Sequence, residues 1–217
     1  MTNEYFNIKD TCRKGLLKYL GKAVSAIPEM KNPSILDIGC GTGVPTLALA
    51  EMFNGDITAV DSDARSIRWL EEKVRELNLS HRITCLNVPF SGLAIEDSRF
   101  DIIIAEGFLN AVGFRKGFLK LLKLLRENGY FIIHDDLTHF KEKTSFITAN
   151  NCVVPDSFRL NEQVWWDDYY KCLEKEIARV EDKKLAELFT PDMQEIKEYK
   201  KNPSRFTSAY FVIKKTG

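Results

Sequence analysis

The stretch that decides the fold is SILDIGCGTG, residues 34–43, an apolar run that leads directly into three alternating glycines. Its first half has the character of a buried strand, and the glycines let the backbone turn sharply where a side chain would obstruct it. Pro45 follows where the first turn of a helix accepts proline, so residues 46–53 are predicted to be helical. The stretch therefore predicts a strand, a glycine loop and a helix whose first N–H groups can face a ligand.

Strand and helix patterns alternate after this stretch. Short apolar runs at residues 57–60, 83–86, 101–105 and 130–134 predict four more strands, with apolar residues at helical spacing between several of them. Continuous apolar strands that alternate with amphipathic helices are typical of a parallel sheet covered on both faces. The sequence thus predicts an α/β fold, a doubly wound and mostly parallel Rossmann-like sheet, whose ligand site lies at the carboxyl ends of the strands.

The chain, residues 1–217, is predicted to form a single domain with two parts. Residues 1–136 form the predicted cofactor-binding core, which begins with a helix over residues 11–27. Residues 137–217 are predicted to be mostly helical between 161 and 200, with a last strand at 209–213. We expect this second part to supply a helical cap and one further strand.

Composition narrows the class of protein without naming its chemistry. The chain carries 31 basic and 31 acidic residues, so its formal net charge is zero, and 44% of its residues are hydrophobic. This balance makes nucleic-acid binding by bulk charge unlikely, and the hydrophobic fraction excludes wholesale disorder. No apolar run approaches the roughly 18 residues of a membrane-spanning helix, so no membrane partner is expected. The oligomeric state stays open.

The five cysteines predict reduced thiols and a cytoplasmic location. They form no CxxC motif, and the first residues lack the basic stretch and apolar core of a signal peptide. The three histidines lack the spacing of metal ligands, so no zinc site is predicted.

Two acidic residues accompany the glycine loop. Asp37 lies inside the apolar run, where its charge would repel a pyrophosphate but suits a ligand with cationic groups. Asp61 ends the second predicted strand, about 20 residues after the loop, where a carboxylate can accept ribose hydroxyls. Val44 stands where the dinucleotide fingerprint requires Gly or Ala. An NAD(P)-dependent oxidoreductase is therefore an open but disfavoured alternative.

The glycine loop together with Asp37 and Asp61 resembles the class I S-adenosylmethionine-dependent methyltransferases. Residues 106–114 are similar to the small-molecule enzymes of the ubiquinone-biosynthesis type. The resemblance implies an enzyme that transfers a methyl group from S-adenosyl-L-methionine to a small-molecule substrate. It also implies that the loop and Asp37 hold the methionine part and that Asp61 holds the ribose. Ser62 and Asp63 would lie beside the ribose or the adenine, and Phe90 would contact the adenine. The implied cofactor site consists of Asp37, Gly39, Cys40, Gly41, Thr42, Gly43, Asp61, Ser62 and Phe90.

Residues at the ends of the fourth and fifth strands are predicted to take part in catalysis, namely Glu106, His134 and Asp135. Methyl transfer requires alignment of the nucleophile with the methyl group, and a base where the nucleophile carries a proton. His134 is a candidate base because an ordinary histidine titrates near neutrality. Glu106 is a candidate to hold the substrate or the methionine amine. The alternative for His134 is one satisfied hydrogen bond within the helix layer.

Two further functions stay open. Glu106 with Asp135 and Asp136 matches the positions of the magnesium ligands in catechol-type O-methyltransferases, since oxygen ligands suit Mg²⁺. A non-catalytic cofactor-binding subunit is the other alternative. No metal ligand is assigned from the sequence.

The densest aromatic cluster is VWWDDYY, residues 164–170. On an α-helix, Trp165 and Tyr169 would share one face, and Trp166 and Tyr170 would share another. We expect one pair to pack on the core and the other to cover the mouth of the active site. All four are therefore candidate substrate-binding residues, with plain packing of the helical tail as the alternative.

Overall fold

The computed structural model describes residues 2–217, in which a seven-stranded sheet carries helices on both faces. The strands are β1 (Ile35–Ile38), β2 (Ile57–Asp61), β3 (Ile83–Asn87), β4 (Phe100–Glu106), β5 (Leu125–Asp136), β6 (Cys152–Leu160) and β7 (Ser208–Lys215). Their order in the sheet is β3-β2-β1-β4-β5-β7-β6. Strands β1 to β5 are parallel, and β7 is antiparallel to both of its neighbours. The predicted doubly wound, mostly parallel sheet is confirmed.

Helices connect these strands and extend beyond them. They are α1 (Thr2–Arg13), α2 (Leu17–Ser25), α3 (Val44–Met52), α4 (Ala64–Glu76), α5 (Leu109–Val112), α6 (Phe114–Leu124), α7 (Phe140–Thr148), α8 (Glu162–Trp165), α9 (Lys171–Ile177), α10 (Lys183–Leu188) and α11 (Thr190–Lys201). A π-helical turn, Trp166–Tyr170, joins α8 to α9, and a 3₁₀ helix, Pro203–Phe206, precedes β7. Within residues 2–217, no helix is long and apolar enough to cross a membrane.

Two apolar cores fix the sheet, one on each face. Side chains alternate along each strand, so in β4 Ile102 and Ile104 belong to one core while Ile103 and Ala105 belong to the other. All four are fully buried. Because β1, β4 and β5 are adjacent and parallel, their carboxyl ends meet at one edge of a rigid platform.

A third apolar cluster lies away from the sheet and involves both ends of the chain. It joins α1 with the π-helical turn and with helices α9 to α11, and it includes Cys12, Tyr170, Leu173, Phe189 and Ile196. We call α1, the segment from α8 to α11 and the 3₁₀ helix before β7 the cap. The cap therefore includes the N-terminal helix, whereas β6, α7 and β7 of the second part belong to the sheet layers.

Three elements differ from the prediction. The helix predicted over residues 11–27 is wrong in its bounds, because the helical stretch begins with α1 at Thr2, continues through a 3₁₀ helix, Lys14–Leu16, and ends with α2 at Ser25. The fifth strand begins at Leu125 rather than at Tyr130. Strand β6 was not predicted because it lies at the sheet edge, alternates exposed residues with partly buried ones and contains Pro155, a residue that edge strands tolerate.

A disulfide bond joins Cys12 of α1 to Cys172 of α9, whose Cα atoms lie 5.5 Å apart. The prediction of five reduced thiols is wrong for this pair, while Cys40, Cys85 and Cys152 are free. The two bonded cysteines are 160 residues apart in sequence, so only the packing of α1 against α9 within the cap brings them together. Cysteine motifs such as CxxC relate residues that are close in sequence, so they could not predict this pair.

Candidate functional site

A cavity of about 600 Å³ lies at the carboxyl ends of β1, β4 and β5, between the sheet edge and the cap. The volume is within the range of small-molecule sites. From the predicted sites, the residues that line it are Gly39, Gly41, Thr42, Glu106, His134, Asp135, Trp165, Tyr169 and Tyr170. The predicted residues that do not line it are Asp37, Cys40, Gly43, Asp61, Ser62, Phe90 and Trp166.

The glycine loop forms one wall of the cavity. Gly39, Gly41 and Gly43 have φ values of +73°, +52° and +81°, in the region that favours glycine. A Cβ atom at Gly39 would lie 2.7 Å from Phe108, and one at Gly43 would collide with Leu70, so packing requires both glycines. A Cβ atom at Gly41 would meet nothing within 4 Å. Gly41 thus keeps space open on the side that faces the cavity.

A second glycine widens the same wall. Gly107 follows β4 with a φ of +65°, and a Cβ atom there would also meet nothing within 4 Å. Side chains at Gly41 and Gly107 would narrow the cavity from two neighbouring strand ends. Glycine at both positions is what close approach of a ligand to the backbone requires.

Asp37 lies buried in β1, beneath the glycine loop, with only 2% of its surface exposed. Its Oδ2 accepts a hydrogen bond from the Thr46 hydroxyl at 2.5 Å. Burial raises the pKa of Asp37 to about 7, and the negative charges of Glu106 and Asp61 act in the same direction. A positively charged ligand stabilises the ionised form of such a buried carboxyl group, which burial otherwise disfavours.

Asp61 fixes the loop. Its Oδ2 accepts the backbone N–H of Gly41 at 2.8 Å, and its Oδ1 accepts that of Asp63 at 2.8 Å. Each carboxylate oxygen keeps a further lone pair for a ligand hydroxyl. Asp63 and Ser66 line the adjoining part of the cavity, while Ser62 is exposed outside it.

Cys40 and Phe90 lie behind the cavity wall. Cys40 is buried under the loop, and burial raises the pKa of its thiol far above the ordinary value. The Phe90 ring packs edge-on against Phe108 with centroids 5.1 Å apart. Phe108 in turn packs against Gly39, so Phe90 supports the loop through a neighbour.

Helix α1 closes the cavity from the side opposite the sheet. Asp10 accepts hydrogen bonds from the Thr42 hydroxyl at 2.5 Å, from the Trp69 indole at 2.9 Å and from the Lys73 ammonium at 2.7 Å. Lys73 also donates to the Thr42 carbonyl at 2.6 Å. Sequence reasoning missed Asp10 because α1 is mostly polar and lies outside the alternating strands and helices. No local motif links residue 10 to residue 42.

Glu106 and His134 lie side by side at the ends of β4 and β5. Glu106 accepts a hydrogen bond from the Tyr210 hydroxyl, and burial raises its pKa while the charge of Arg13 opposes that rise. The His134 ring stacks between Tyr210 and Trp165 at 4.4 and 5.9 Å, and its Nε2 lies 2.8 Å from the Ser208 hydroxyl. Burial lowers the pKa of His134 to about 3. The imidazole is therefore neutral, and it holds an extra proton poorly.

Asp135 and Asp136 form a charge cluster with Lys143 of α7. The Lys143 Nζ lies 2.8 Å from Asp135 Oδ2 and 3.3 Å from Asp136 Oδ1, and it donates to the Asp136 carbonyl at 2.8 Å. The Asp135 side chain is fully enclosed, which raises its pKa. An ammonium group thus occupies the position between the two carboxylates that a magnesium ion would need. Among residues 2–217, no group of three or more His, Cys, Asp and Glu side chains has a metal-binding arrangement.

The aromatic segment differs from the predicted α-helix. Residues Trp166–Tyr170 form a π-helical turn, which changes the spacing of residues that share a face. Trp165 stacks with Tyr170, at a centroid distance of 6.0 Å, and Tyr170 also packs on Tyr199, as Trp166 does. The expected division of the four rings into one pair on the core and one pair at the mouth is therefore not observed. Trp165, Tyr169 and Tyr170 line the cavity. Trp166 stacks on Tyr199 at 5.8 Å within the cap.

Comparisons with known proteins show several relatives. A demethylmenaquinone methyltransferase from Bacteroides fragilis is 27% identical over 138 residues, which is 62% of this chain and 56% of that protein. A ribosomal protein L11 methyltransferase from Pelobacter propionicus is 27% identical over 90 residues, which is 42% of this chain and 28% of that protein. The chain thus spans about half or less of the length of these curated relatives.

Solved structures with the same fold include enzymes of more than one kind. The [4+2]-cyclase SpnF superposes with a TM-score of 0.77 and 16% identity, over 92% of this chain and 80% of that one. A SAM-dependent methyltransferase from Geobacter sulfurreducens, crystallised with S-adenosyl-L-homocysteine, superposes with a TM-score of 0.68 and 16% identity, over 91% and 89% of the two chains. At these identities the likeness shows the fold alone.

The family is settled by a different comparison. The model of the methyltransferase domain matches residues 29–177, from the residues just before β1 to the end of α9. That span is more than half of the chain and contains the glycine loop, Asp37, Asp61, Glu106 and His134. The resemblance drawn from the glycine loop and its two acids is confirmed, and the chain belongs to the methyltransferase-domain family.

Proposed function

We propose that this protein transfers a methyl group from S-adenosyl-L-methionine to a small molecule. The observation that carries the proposal is the pair of open glycines, Gly41 and Gly107, beside the buried carboxyl group of Asp37 and the partly buried one of Glu106. This wall combines room for close approach with negative charge. It suits a ligand with ammonium and sulfonium groups better than one with a pyrophosphate.

The methionine part of the cofactor would lie against the glycine loop. Asp37 and Glu106 supply the negative charge for its cationic groups, and the Arg13 guanidinium, which also lines the cavity, is free to pair with its carboxylate. The ribose would lie near Asp61, Asp63 and Ser66. Phe90 would act on the adenine region only through Phe108.

The residues of the chain align the reactants and exclude water. When bound, S-adenosyl-L-methionine supplies an activated methyl group. Helix α1 and the aromatic residues Trp165, Tyr169 and Tyr170 would enclose the substrate beside it. The neutral His134 would orient the substrate through a hydrogen bond rather than remove a proton, because its pKa is about 3. Asp135 would position the loop after β5 through Lys143, since its side chain is fully enclosed.

One of the two relatives supports a small-molecule acceptor. The relative from Bacteroides fragilis is named as a demethylmenaquinone methyltransferase, whereas the one from Pelobacter propionicus is named for a ribosomal protein. The formal net charge of zero also favours a small molecule over a nucleic acid. The alternative with magnesium is not supported by the Lys143 cluster, and the alternative with NAD(P) is not supported by Asp37.

Transfer of labelled methyl groups tests the proposal. The protein is incubated with S-adenosyl-L-methionine that carries a ¹⁴C-methyl group, and with separate fractions of small molecules, RNA and protein from a cell extract. We expect label in the small-molecule fraction, and less of it with Asp61→Asn because the loop loses its anchor. Label only in RNA or protein would contradict the acceptor class. Binding of NADH without binding of S-adenosyl-L-methionine would contradict the cofactor.

We further infer a cytoplasmic location, as the sequence predicts. The three free cysteines, Cys40, Cys85 and Cys152, are typical of a reducing compartment, whereas the Cys12–Cys172 bond is not. Fractionation of cells followed by immunoblotting tests the location. Recovery of the protein in the cytoplasmic fraction would support the inference, and its recovery outside that fraction would contradict it.

A further inference from the structure

We infer that the substrate carries an anionic group, a carboxylate or a phosphate, which Arg205 and the indole N–H of Trp165 bind at the cap end of the cavity. The inference rests on the proposed function and names the substrate class of the same site. It follows from which polar groups in the cavity already have partners and which have none.

The acidic side chains that line the cavity all have partners. Tyr170 donates to Glu195 at 2.8 Å, and Tyr210 donates to Glu106. The other carboxylates face cations, as shown by Asp10 with Lys73, Asp63 with Arg65, and Asp135 and Asp136 with Lys143. A cationic substrate would have to compete with these contacts.

The Asp135 carboxylate is buried without a hydrogen bond, but the Lys143 ammonium already pairs with its charge, whereas several basic and indole groups of the cavity have no partner. Of the four basic side chains that line the cavity, Lys9 pairs with Asp192 at 2.7 Å and Arg65 lies 3.5 Å from Asp63. Arg13 and Arg205 line the cavity with solvent-exposed side chains and form no hydrogen bond or ion pair with any part of the chain that the structure describes. The Trp165 Nε1 is buried and also lacks an acceptor. Buried N–H groups in folded proteins are nearly always paired, so this one calls for an acceptor on a ligand.

The two free guanidinium groups lie on different elements of the cavity wall. Arg13 lies near Glu106 and His134, where its charge opposes the rise in the pKa of Glu106 and where the cofactor would place its own carboxylate. Arg205 lies in the 3₁₀ helix Pro203–Phe206, which packs against α8, the helix that ends at Trp165. Trp165 also lines a small recess together with Arg13, Glu106 and His134. Thr207 and Ser208 follow directly and line the same cavity. Once the cofactor has engaged Arg13, the donors left unmatched are those of Arg205 and Trp165.

The surroundings of these donors are aromatic. Tyr170 packs edge-on against Phe206 at 6.0 Å, and Tyr5 and Tyr169 continue the wall. A guanidinium and an indole N–H beside such a wall fit an acid or phosphate ester with an apolar body. Arginine suits both oxyanions because its planar fork matches carboxylate and phosphate geometry.

Matched aromatic probes test the inference. Benzoate, phenyl phosphate and the neutral isostere benzamide are titrated by calorimetry into the full-length protein saturated with S-adenosyl-L-homocysteine. We expect at least one anion to bind about tenfold or more tightly than benzamide, as charge-assisted hydrogen bonds imply. Whether benzoate or phenyl phosphate binds better distinguishes a carboxylate from a phosphate substrate.

Three variants assign the effect. Arg205→Gln should abolish the preference for the anion, and Trp165→Phe should weaken it by a few-fold while keeping the ring that stacks on His134. Arg179→Gln is the matched control, since Arg179 is exposed, pairs with Glu176 and does not line the cavity. Equal affinity for anions and benzamide in the wild type, including equally undetectable binding, would overturn the inference. An anion preference that survives Arg205→Gln would also overturn it.

A separate measurement distinguishes failure of the inference from failure of the proposed function. Binding of S-adenosyl-L-homocysteine is measured first in every variant, and it should be unchanged in Arg205→Gln. If the wild type binds no S-adenosyl-L-homocysteine, the proposed function fails, and the probe titrations are run on the free protein under the same criteria. Labelled methyl product that is neutral or cationic on ion exchange would refute the anionic substrate while leaving methyl transfer intact.

Discussion

Removal of the Cys12–Cys172 bond is expected to lower the free energy of unfolding substantially. The bond closes a loop between residues 160 positions apart, from α1 to α9. In the chain-entropy description, closing a loop of that length removes about 17 cal/mol/K from the unfolded chain, or about 5 kcal/mol at 25 °C. Disulfides of this kind more often contribute about 2–4 kcal/mol, so the expected loss lies between about 2 and 5 kcal/mol.

The fold should survive this loss, because other contacts hold α1 in place. Lys9 pairs with Asp192 at 2.7 Å, the Tyr5 hydroxyl donates to Asp192 at 3.0 Å, and the Tyr5 ring packs on Phe189 at 4.7 Å. On the other side, Asp10 is bonded to Thr42 and Lys73. The reduced protein should therefore retain its structure but unfold at a lower denaturant concentration.

Urea unfolding, followed by circular dichroism with and without a reductant, measures the effect. The double variant Cys12→Ser/Cys172→Ser should match the reduced wild type and should not respond to reductant. Cys152→Ser is the control, since Cys152 is buried but unbonded. Identical unfolding midpoints for oxidised and reduced wild type, or alkylation of both cysteines in the unreduced protein, would refute the reasoning.

Two further predictions concern the buried carboxyl groups. Asp37 binds a proton more tightly in the folded state, with a pKa of about 7 against an ordinary value of 3.8. The proton bound to Asp37 therefore stabilises the folded state by up to about 4 kcal/mol below pH 4. This stabilisation is lost as the pH rises to about 7. In Asp37→Asn, the free energy of unfolding from urea titrations should change less between pH 4 and about 7 than in the wild type. An equal pH dependence in the two proteins would contradict the raised pKa of Asp37. Asp10→Asn leaves Lys73 without its ion-pair partner and should cost about 1.5–3 kcal/mol in urea unfolding. A loss below about 0.5 kcal/mol would show that α1 is not anchored through this contact.

The sheet and the loop were predictable because their signals are local. Residues 34–43 show the strand and the glycine turn together, and Asp61 follows at the end of the next strand. Parallel strands with short connections bring these neighbours in sequence to one edge. Glu106 and His134 likewise end adjacent strands, so their proximity followed from the strand order.

The cap side of the site depends on contacts between distant parts of the chain. Asp10 reaches Thr42, Cys12 reaches Cys172, and Ser208 reaches His134, and no periodic pattern relates the members of these pairs. The π-helical turn changed which aromatic rings face the cavity, because a spacing of 3.6 residues per turn does not apply within it. Arg13 and Arg205 lacked any signal in sequence, since ordinary surface arginines have the same appearance.

The central claim is that S-adenosyl-L-methionine binds against the glycine loop, and a pair of glycine variants tests it most directly. Gly41 and Gly113 both have positive φ values, +52° and +86°, and a Cβ atom at either would meet nothing within 4 Å. Only Gly41 lines the cavity, whereas Gly113, with a ψ of +115°, lies outside it in a conformation that also strains alanine, so Gly113→Ala controls for backbone strain without placing a side chain in the cavity. Affinity for S-adenosyl-L-methionine is measured by calorimetry, and the wild type and Gly113→Ala should bind it equally well. Gly41→Ala should bind it about tenfold or more weakly, which corresponds to about 1.4 kcal/mol of binding free energy. Equal affinities for Gly41→Ala and the wild type, or no binding by the wild type, would contradict the account.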